Sequence, residues 1–198
     1  MVQDRGGAGA GGERAGGTAG PPAQPPALLP LPADPPSAGN GYYREHARLL
    51  AGSFRRCTGR ELIAPAVAMA ADGEDALADD IGRRLFEAPF AVLSHGEGAD
   101  PCFTYGNRTA LALFEADWAT LLAMPSRLSA EPVEQAERAR LLARVRAHGF
   151  IDDYSGVRIS RCGRRFLISA AVVWTLTGDD GSGVCGQAAT FADWRPLP

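Results

Sequence analysis

The residues best suited to binding chemistry in this 198-residue chain are arginine, aromatic and amide side chains. An arginine guanidinium is a planar fork of N–H donors that suits a carboxylate or a phosphate. Tyrosine and tryptophan provide aromatic walls that carry one polar atom. Such side chains bind a small molecule if they converge on one side of a sheet, and otherwise form a buried polar network that fixes helices on it. The candidate ligand-binding residues are Tyr105, Asn107, Arg127, Tyr154, Arg158, Trp174 and Gln187.

The histidines and cysteines favour structural roles over reactive ones. His95 follows a short apolar run and precedes glycines. A hydrogen-bonded or surface imidazole needs no partner at that place, whereas a haem or metal ligand does. Cys102 and Cys162 would be redox-active only if neighbouring groups stabilised their thiolates. Arginines flank Cys162 in the sequence, but its position at a predicted hairpin tip favours an exposed, inert thiol.

No catalytic motif is recognisable. Asp152 and Asp153 are adjacent, but neighbours in a strand point to opposite faces, so at most one of them lines a pocket. We expect them to form a loop cap or an ion pair with Arg158 or Arg127. The sequence has no Ser-His-Asp order, P-loop or HExxH. We therefore predict no catalytic residues and a protein that is not an enzyme, and an enzyme that uses His95 or an aspartate is the third alternative.

Charge and composition argue against several classes of function. A net charge of −3 lacks the basic footprint of a general nucleic-acid binder. The sequence has no apolar run of about 18 residues, so no membrane span is predicted, and no apolar signal region opens it. Four separated cysteines without a CxxC pair, with three histidines, argue against a metal site. We expect a cytoplasmic protein, or a plastid one if the N-terminal tail is a transit peptide; no cofactor is identified.

Composition also divides the chain into a tail and one folded part. Residues 1–41 hold ten of the 24 glycines, eight of the 15 prolines and no aromatic residue. Such a segment cannot bury enough apolar surface to offset its ordering entropy, so we predict that it is disordered. The rest of the chain favours one core. We expect an N-terminal helical extension over 42–87 and a sheet domain over 88–194.

Two amphipathic helices are predicted ahead of the sheet. In the first, over 42–57, apolar residues recur at helical spacing, and Thr58-Gly59 marks its end. The second, over 75–86, places Leu77, Ile81 and Leu85 on one stripe. The stripes pack either on the sheet of the same chain or against a partner, and the 42–57 helix is then the candidate for a homodimer interface.

Strands and helices alternate in the middle of the chain. Strands are predicted over 89–95 and 102–106. Asn107 sits at a helix N-cap position, where its side-chain oxygen accepts an amide of the helix 108–115. After a helical turn at 117–123, the longest helix is predicted to begin at Pro132 and to end at Gly149, with acids early and bases late, as the helix dipole favours. Its apolar stripe consists of Val133, Leu141, Leu142 and Val145.

Strands fill the C-terminal part of the sequence. They are predicted over 157–160, 165–176 and 184–191, with a turn at 161–164 and a loose end after Trp194. In the middle strand, period-two alternation predicts one face formed by Phe166, Ile168, Ala170, Val172, Trp174 and Leu176. The whole order predicts an α+β fold in which a meander leaves one sheet face for the helices.

That order is similar to a PAS domain, whose five-stranded antiparallel sheet cups a small cavity under its helices. Several strings also resemble the MEKHLA-domain family, which is PAS-related and includes stand-alone bacterial and algal proteins as well as a domain that closes plant class III homeodomain–leucine-zipper proteins. The strings are LSHG (93–96), DP (100–101), YGNR (105–108), PSRLSAEP (125–132), GFIDDYSGVR (149–158) and GQAA (186–189).

The resemblance implies a sensory or regulatory role, with an unidentified small molecule, a protein partner or both. It implies no particular reaction, and DNA binding does not carry over because the homeodomain and the zipper are absent from this sequence. Light-sensing PAS relatives carry a cysteine directly after the asparagine, whereas Asn107 is followed by Arg108. The alternative function is a dimerisation module with a closed core and no ligand.

Overall fold

The computed structural model describes residues 31–64, 80–131, 135–178 and 183–198. Within these ranges the chain forms five α-helices, two 3-10 helices and six strands. The helices are α1 (Arg44–Thr58), α2 (Ile81–Phe86), α3 (Arg108–Phe114), α4 (Trp118–Leu122) and α5 (Gln135–His148), and the 3-10 helices are Ala38–Tyr43 and Ser126–Ser129. The strands are β1 (Ala91–His95), β2 (Phe103–Gly106), β3 (Phe150–Ile159), β4 (Arg165–Thr177), β5 (Val184–Phe191) and β6 (Asp193–Pro196).

One antiparallel sheet organises the fold, with the strand order β2-β1-β5-β4-β3 and with β6 added beside β4. Helices α3, α4 and α5 lie between β2 and β3 in the chain. The α+β, PAS-like arrangement expected from the sequence is therefore confirmed. Strand β3 begins at Phe150, seven residues before the predicted strand, so the 149–158 string is strand over nearly all of its length.

The C-terminal segment forms a strand, so the predicted loose end after Trp194 is wrong. In β6, Asp193 pairs with Ser169 and Pro196 pairs with Phe166 in the first half of β4. Ala192 alone separates β5 from β6, so one chain segment follows β4 along almost its whole length. Sequence alternation gave no signal here, because all four residues of β6 are exposed.

The predicted single face of β4 is wrong, because the alternation reverses at Ala170. This residue has a left-handed backbone with φ of 51°, and such a bulge shifts the following side chains to the opposite face. Phe166 and Ile168 belong to the apolar cluster under α3 and α5, whereas Trp174 and Leu176 belong to the cluster on the other side of the sheet. A continuous apolar pattern does not reveal a bulge of this kind.

The two N-terminal helices cover the sheet face opposite to α3 and α5. The α1 side chains Leu50 and Phe54 are buried in the same cluster as Trp174. The Phe54 ring meets the Trp174 indole edge to face at 5.0 Å, and the indole Nε1 donates to Ser53 Oγ at 3.1 Å. The apolar stripe of α1 was predicted to pack either on the sheet of the same chain or against a partner. In the structure it packs on the sheet of the same chain.

Helix ends follow the predicted local chemistry. Asn107 Oδ1 accepts from the amide of Ala110 at 3.1 Å, which confirms the N-cap of α3. Gly59 and Gly149 have φ of 70° and 89°, and they terminate α1 and α5 as predicted, because glycine adopts this conformation at low cost. The predicted start of the second helix before residue 80 and the start of α5 at 132–134 lie outside the described residues, as does Leu77.

Residues 31–41, which the predicted tail includes, make contacts with the folded part. The indole Nε1 of Trp118 donates to the carbonyl of Pro32 at 2.9 Å. The Tyr43 hydroxyl donates to the carbonyl of Asp34 at 2.6 Å, and its ring stacks on Trp118 at 5.7 Å. The rest of the predicted tail lies outside the described residues.

Candidate functional site

A small cavity lies between the sheet and the helices α3 and α5. Its volume is about 60 Å³, room for a few water molecules. Most of its wall is apolar, formed by Phe103, Phe114, Leu141, Ile168 and Val173. The polar lining comes from Arg158, Tyr154, Gln187, Ser129, His95 and Ser94. A flavin-sized or haem-sized group needs a pocket of roughly 300 Å³ or more, so the cavity does not fit one.

Strand β3 positions the two largest polar side chains of the cavity. Its pairing with β4 shifts register on both sides of Tyr154. As a result Ile151, Tyr154 and Arg158 are all buried, while Asp152 and Asp153 between them are exposed. Such irregularities re-aim side chains near functional sites. Strict alternation would have turned one of the two aspartates inward.

The Arg158 guanidinium lies against the Tyr154 ring inside the protein. Its carbon is 5.0 Å from the centre of the ring, which is a cation–π distance. Nη2 donates to the Tyr154 hydroxyl at 2.9 Å, and Nη1 donates to the carbonyl of Val157 at 2.8 Å. A Cβ at Gly156 would overlap the Tyr154 hydroxyl, so only glycine leaves room for the tyrosine in this position.

Arg158 has no acidic partner among the residues that the structure describes. The nearby acids belong to other arginines. Glu115 pairs with Arg164 at 3.0 Å, and Glu131 pairs with Arg165 at 2.6 Å. Arg158 is nevertheless 8% exposed. Among the described residues, the polar partners of this buried cation are the Tyr154 hydroxyl and the carbonyl of Val157.

The cavity adjoins a cleft that opens at the surface. The cleft has a volume of about 230 Å³ and lies between α5 and the loop that joins β1 to β2, with Ala139, Ala143 and Arg146 on the helix side. His95 and Gln187 line both the cleft and the cavity. The cavity and the cleft therefore meet at these two residues. The His95 Nδ1 is 2.7 Å from the carbonyl of Gly96, which holds the ring at the end of β1.

The structure brings together three of the seven predicted ligand-binding residues. Tyr154, Arg158 and Gln187 line the cavity. Arg127 lies at the surface, where Nε donates to Asp100 at 2.8 Å and attaches the 3-10 helix Ser126–Ser129 to the β1–β2 loop. It is 48% exposed, so it takes no part in the cavity.

The other three predicted residues have structural contacts on the opposite side of the sheet or at the α3 start. Trp174 packs under α1, as described above. Asn107 is fully buried and joins three segments, because Oδ1 also accepts from Val92 N at 3.0 Å while Nδ2 donates to Phe90 O at 2.7 Å. Tyr105 is fully buried beside α1. These three residues fit the alternative prediction, in which buried polar side chains fix the helices on the sheet.

Tyr105 takes part in a buried polar and aromatic cluster under α1. Its ring stacks on the imidazole of His46 at 5.3 Å and meets Trp118 edge to face at 5.8 Å. His46 Nε2 is 3.1 Å from Ser94 Oγ, which is 2.8 Å from Thr104 Oγ1. Burial lowers the pKa of His46 to about 4 and raises that of Tyr105. The Tyr105 hydroxyl has no hydrogen-bond partner within the described ranges.

Ser129 and His46 lie at these two places but were not among the predicted site residues. Ser129 is buried against the cavity, and its hydroxyl donates to the carbonyl of Ser126 at 2.7 Å. Ser129 belongs to the same PSRLSAEP string as Arg127, and this string was the signal for it. Only the arginine was predicted to bind a ligand, because of its charge. His46 lies on the buried side of α1, next to Ala47. A histidine within the apolar stripe of a helix was the available signal.

The aspartate pair has a surface role different from the one expected. Asp152 pairs with Arg60 at 3.5 Å, not with Arg158 or Arg127. Arg60 follows the end of α1, so this contact joins the N-terminal helix to β3. Neither aspartate faces the cavity, since both are exposed.

The structure also shows where the two candidate redox cysteines lie. Cys162 is exposed in the turn between β3 and β4, as predicted, and Cys102 is exposed before β2. In the ranges that can be described, no group of three or more His, Cys, Asp or Glu side chains is arranged to hold a metal ion. The described helices include none that is long and apolar enough to cross a membrane.

The sheet order, the intervening helices and the small internal cavity define a PAS-like α+β domain. A family model described as the MEKHLA domain matches residues 44–196. The chain therefore belongs to the MEKHLA-domain family, as the sequence strings predicted. The match begins with α1 and ends with β6, so it includes both the helix on the far face of the sheet and the added strand.

One relative is the homeobox-leucine zipper protein ATHB-9 of Arabidopsis thaliana, 26% identical over 129 residues, which are 63% of this chain. The chain spans 15% of that protein's length. Among solved structures, a PAS domain from Colwellia psychrerythraea is 11% identical with a TM-score of 0.46, covering 58% of this chain and 92% of that one. A sensory box histidine kinase/response regulator domain from Geobacter sulfurreducens is 15% identical with a TM-score of 0.48, covering 62% and 100%.

Proposed function

We propose that this domain is a regulatory sensor that binds a small molecule in the cavity between β3, β4, β5 and α5. The observation that carries the proposal is the cavity itself, because its wall is mostly apolar and yet contains an arginine, a tyrosine and a glutamine. A purely structural core of this fold would gain by filling the space with apolar side chains. Membership of a PAS-related family supports a sensory role.

Access to the cavity fits the same function. His95 and Gln187 line both the cavity and the 230 Å³ cleft beside α5. A rotation of these two side chains joins the two spaces without any change in the sheet. The combined space then receives a ligand from solvent and closes over it, which suits a domain that responds to concentration. Side-chain rotation of this kind is fast compared with helix movement.

Helix α5 is the element best placed to report occupancy. It contributes Leu141 to the cavity wall. Its C-terminal end is fixed to β4, because Thr175 Oγ1 donates to Val145 O at 3.3 Å and Thr175 N donates to Gly149 O at 2.8 Å. A ligand that pushes on Leu141 therefore tilts the helix about this fixed end. The altered helix surface is what a downstream partner would recognise.

Native mass spectrometry of the freshly purified full chain, together with a thermal-shift screen of small acids, amides and alcohols, tests this function. Ala171→Val fills the cavity, because the Ala171 side chain is fully buried in its wall. Ala192→Val is the control, since Ala192 is exposed. We expect at least one compound to shift the melting temperature of the wild type and of the control but not of the cavity-filled variant. A screen without any shift, or equal shifts in both variants, would contradict the proposal.

A further inference from the structure

Arg158 places a positive charge in the wall of the cavity. It is 8% exposed, and no carboxylate among the described residues pairs with it. Removing a charge from water is costly, and buried charges are normally paired with an opposite charge. A phenol and one carbonyl offset part of this cost. An anion in the cavity would supply the missing counter-charge.

The guanidinium also has hydrogen-bonding capacity left. An arginine has five N–H donors, and its hydrogen bonds in the structure go to Val157 O and to the Tyr154 hydroxyl. The guanidinium carbon lies over the Tyr154 ring, 5.0 Å from its centre. Donors that remain in the guanidinium plane suit a planar oxyanion, because two N–H groups can bond to its two oxygens at once.

The rest of the cavity restricts the size and polarity of that anion. A volume of about 60 Å³ accepts a ligand of only a few heavy atoms. Phe103, Phe114 and Ile168 present an apolar wall, which favours an aliphatic group. A phosphate would bring more negative charge than one arginine balances and no apolar part for this wall. The cavity is also too small for a dicarboxylate with a longer chain.

From these observations we infer that the cavity binds a short aliphatic monocarboxylate, whose carboxylate pairs with Arg158 and whose alkyl group contacts Phe103 and Phe114. This inference rests on the proposed function, because it names the ligand class of the same cavity. Gln187 and Ser129 supply further polar groups in the lining. The ligand class is thus a C2 or C3 acid, acetate or propionate.

Calorimetric titration of the full chain at constant ionic strength, with propionate as the probe, tests the inference. Propionamide has nearly the same shape without the charge, and hexanoate has the charge with a longer chain. We expect saturable binding of propionate, and binding of propionamide and hexanoate that is weaker by roughly tenfold or more, because a hydrogen bond to a charged group contributes more than a neutral one and because the cavity excludes the longer chain.

Two arginine variants assign the binding to the cavity. Arg158→Met removes the buried charge, and Arg127→Met removes a surface arginine of the same type that pairs with Asp100. We expect Arg158→Met to weaken propionate binding by roughly tenfold or more and Arg127→Met to leave it unchanged. Arg158→Lys keeps the charge without the fork and should give an intermediate affinity. Circular dichroism of each variant verifies the fold, and the wild-type comparison of propionate with propionamide does not depend on any variant.

The outcomes separate the ligand class from the proposed function. Equal or tighter binding of propionamide would overturn the monocarboxylate inference and leave a ligand-binding cavity. Propionate binding that is unaffected by Arg158→Met would also overturn it, because the carboxylate would then lie elsewhere. If neither probe binds and the broader screen of small compounds gives no shift, both the inference and the proposed function fail.

Discussion

The buried hydroxyl of Tyr105 has no hydrogen-bond partner among the residues that the structure describes. A buried donor without a hydrogen bond costs free energy, and its removal is neutral or stabilising. We therefore expect Tyr105→Phe to raise the free energy of unfolding by about 1 kcal/mol, measured by urea denaturation. The ring contacts with His46 and Trp118 are retained in this variant.

Tyr154→Phe is the matched comparison for this prediction. The Tyr154 hydroxyl accepts from Arg158, so the same change there leaves a buried guanidinium with one acceptor fewer. We expect Tyr154→Phe to be destabilising by about 1–3 kcal/mol. A loss of stability in Tyr105→Phe would contradict the prediction and show that its hydroxyl has a partner in solution.

His46 makes the stability of the domain depend on pH below neutrality. Burial lowers the pKa of the folded-state imidazole to about 4, whereas an unfolded histidine titrates at about 6.5. The unfolded chain therefore binds a proton that the folded chain does not over this interval, and stability is lost as the pH falls through it. The full difference amounts to about 3 kcal/mol.

Comparison with His46→Gln isolates this contribution, since glutamine keeps a polar group near Ser94 without titrating. As the pH falls from 7 to 4, we expect the unfolding free energy of the wild type to decrease more than that of His46→Gln. Parallel pH dependences of the two proteins would contradict the lowered pKa of His46.

For single residues, the sequence indicated the chemical character of the site better than the position of each side chain. Tyr154 and Arg158 were predicted together and are in contact. Arg127 was grouped with them by its charge, yet its pairing with Asp100 depends on how the β1–β2 loop meets the 3-10 helix Ser126–Ser129. Contacts of this kind join distant segments, and the types of the residues alone do not specify them. The role of Gln187 in the lining follows from the pairing of β5, which places it beside His95 of β1 and Thr175 of β4.

Among the elements, α3 is fixed by Asn107, which caps the helix and also bonds to the backbone of β1 and the segment before it. We expect Asn107→Ala to cost about 3 kcal/mol, because a cap and two further buried hydrogen bonds are lost. Asp117 caps α4 through Thr120 N at 2.7 Å but is exposed, so Asp117→Ala should cost much less. Thermal denaturation of both variants measures the contrast, and equal losses would show that Asn107 acts only as a cap.

The helices and strands were largely predictable from the sequence, but the side of the sheet on which each side chain lies was not. Helix α1, the N-cap of α3 and the end of α5 follow from local signals such as Asn107, Gly59 and Gly149. In β4, by contrast, φ of 51° at Ala170 reverses the sides of all later residues. Alanine rarely adopts this conformation, so no local rule predicts it. The pairing of β3, β4 and β6 around this point determines the bulge.

Considered as a whole, the molecule has one sheet between two apolar clusters. One cluster contains the cavity, and the other lies under α1 and α2. Neighbouring residues of the same strand serve both, since Val173 faces the first cluster and Trp174 the second. A change in the packing of either side therefore acts on strands that the other side shares. The N-terminal helices form a layer on one face of the sheet, and the family match that begins at residue 44 includes them.

A chain that begins at Pro89 tests whether this layer is required. It lacks Leu50, Phe54 and Leu85, which are buried on the far face of the sheet, and it exposes Trp174. At about 1.5–3 kcal/mol for each large side chain, the loss is comparable to a net stability of about 5–15 kcal/mol. We expect this chain to lack a cooperative unfolding transition by calorimetry, while a chain that begins at Leu31 melts like the full protein. A sharp transition in the chain that begins at Pro89 would contradict this expectation. It would show that the sheet domain folds without its N-terminal helices, as the predicted boundary between residues 87 and 88 implies.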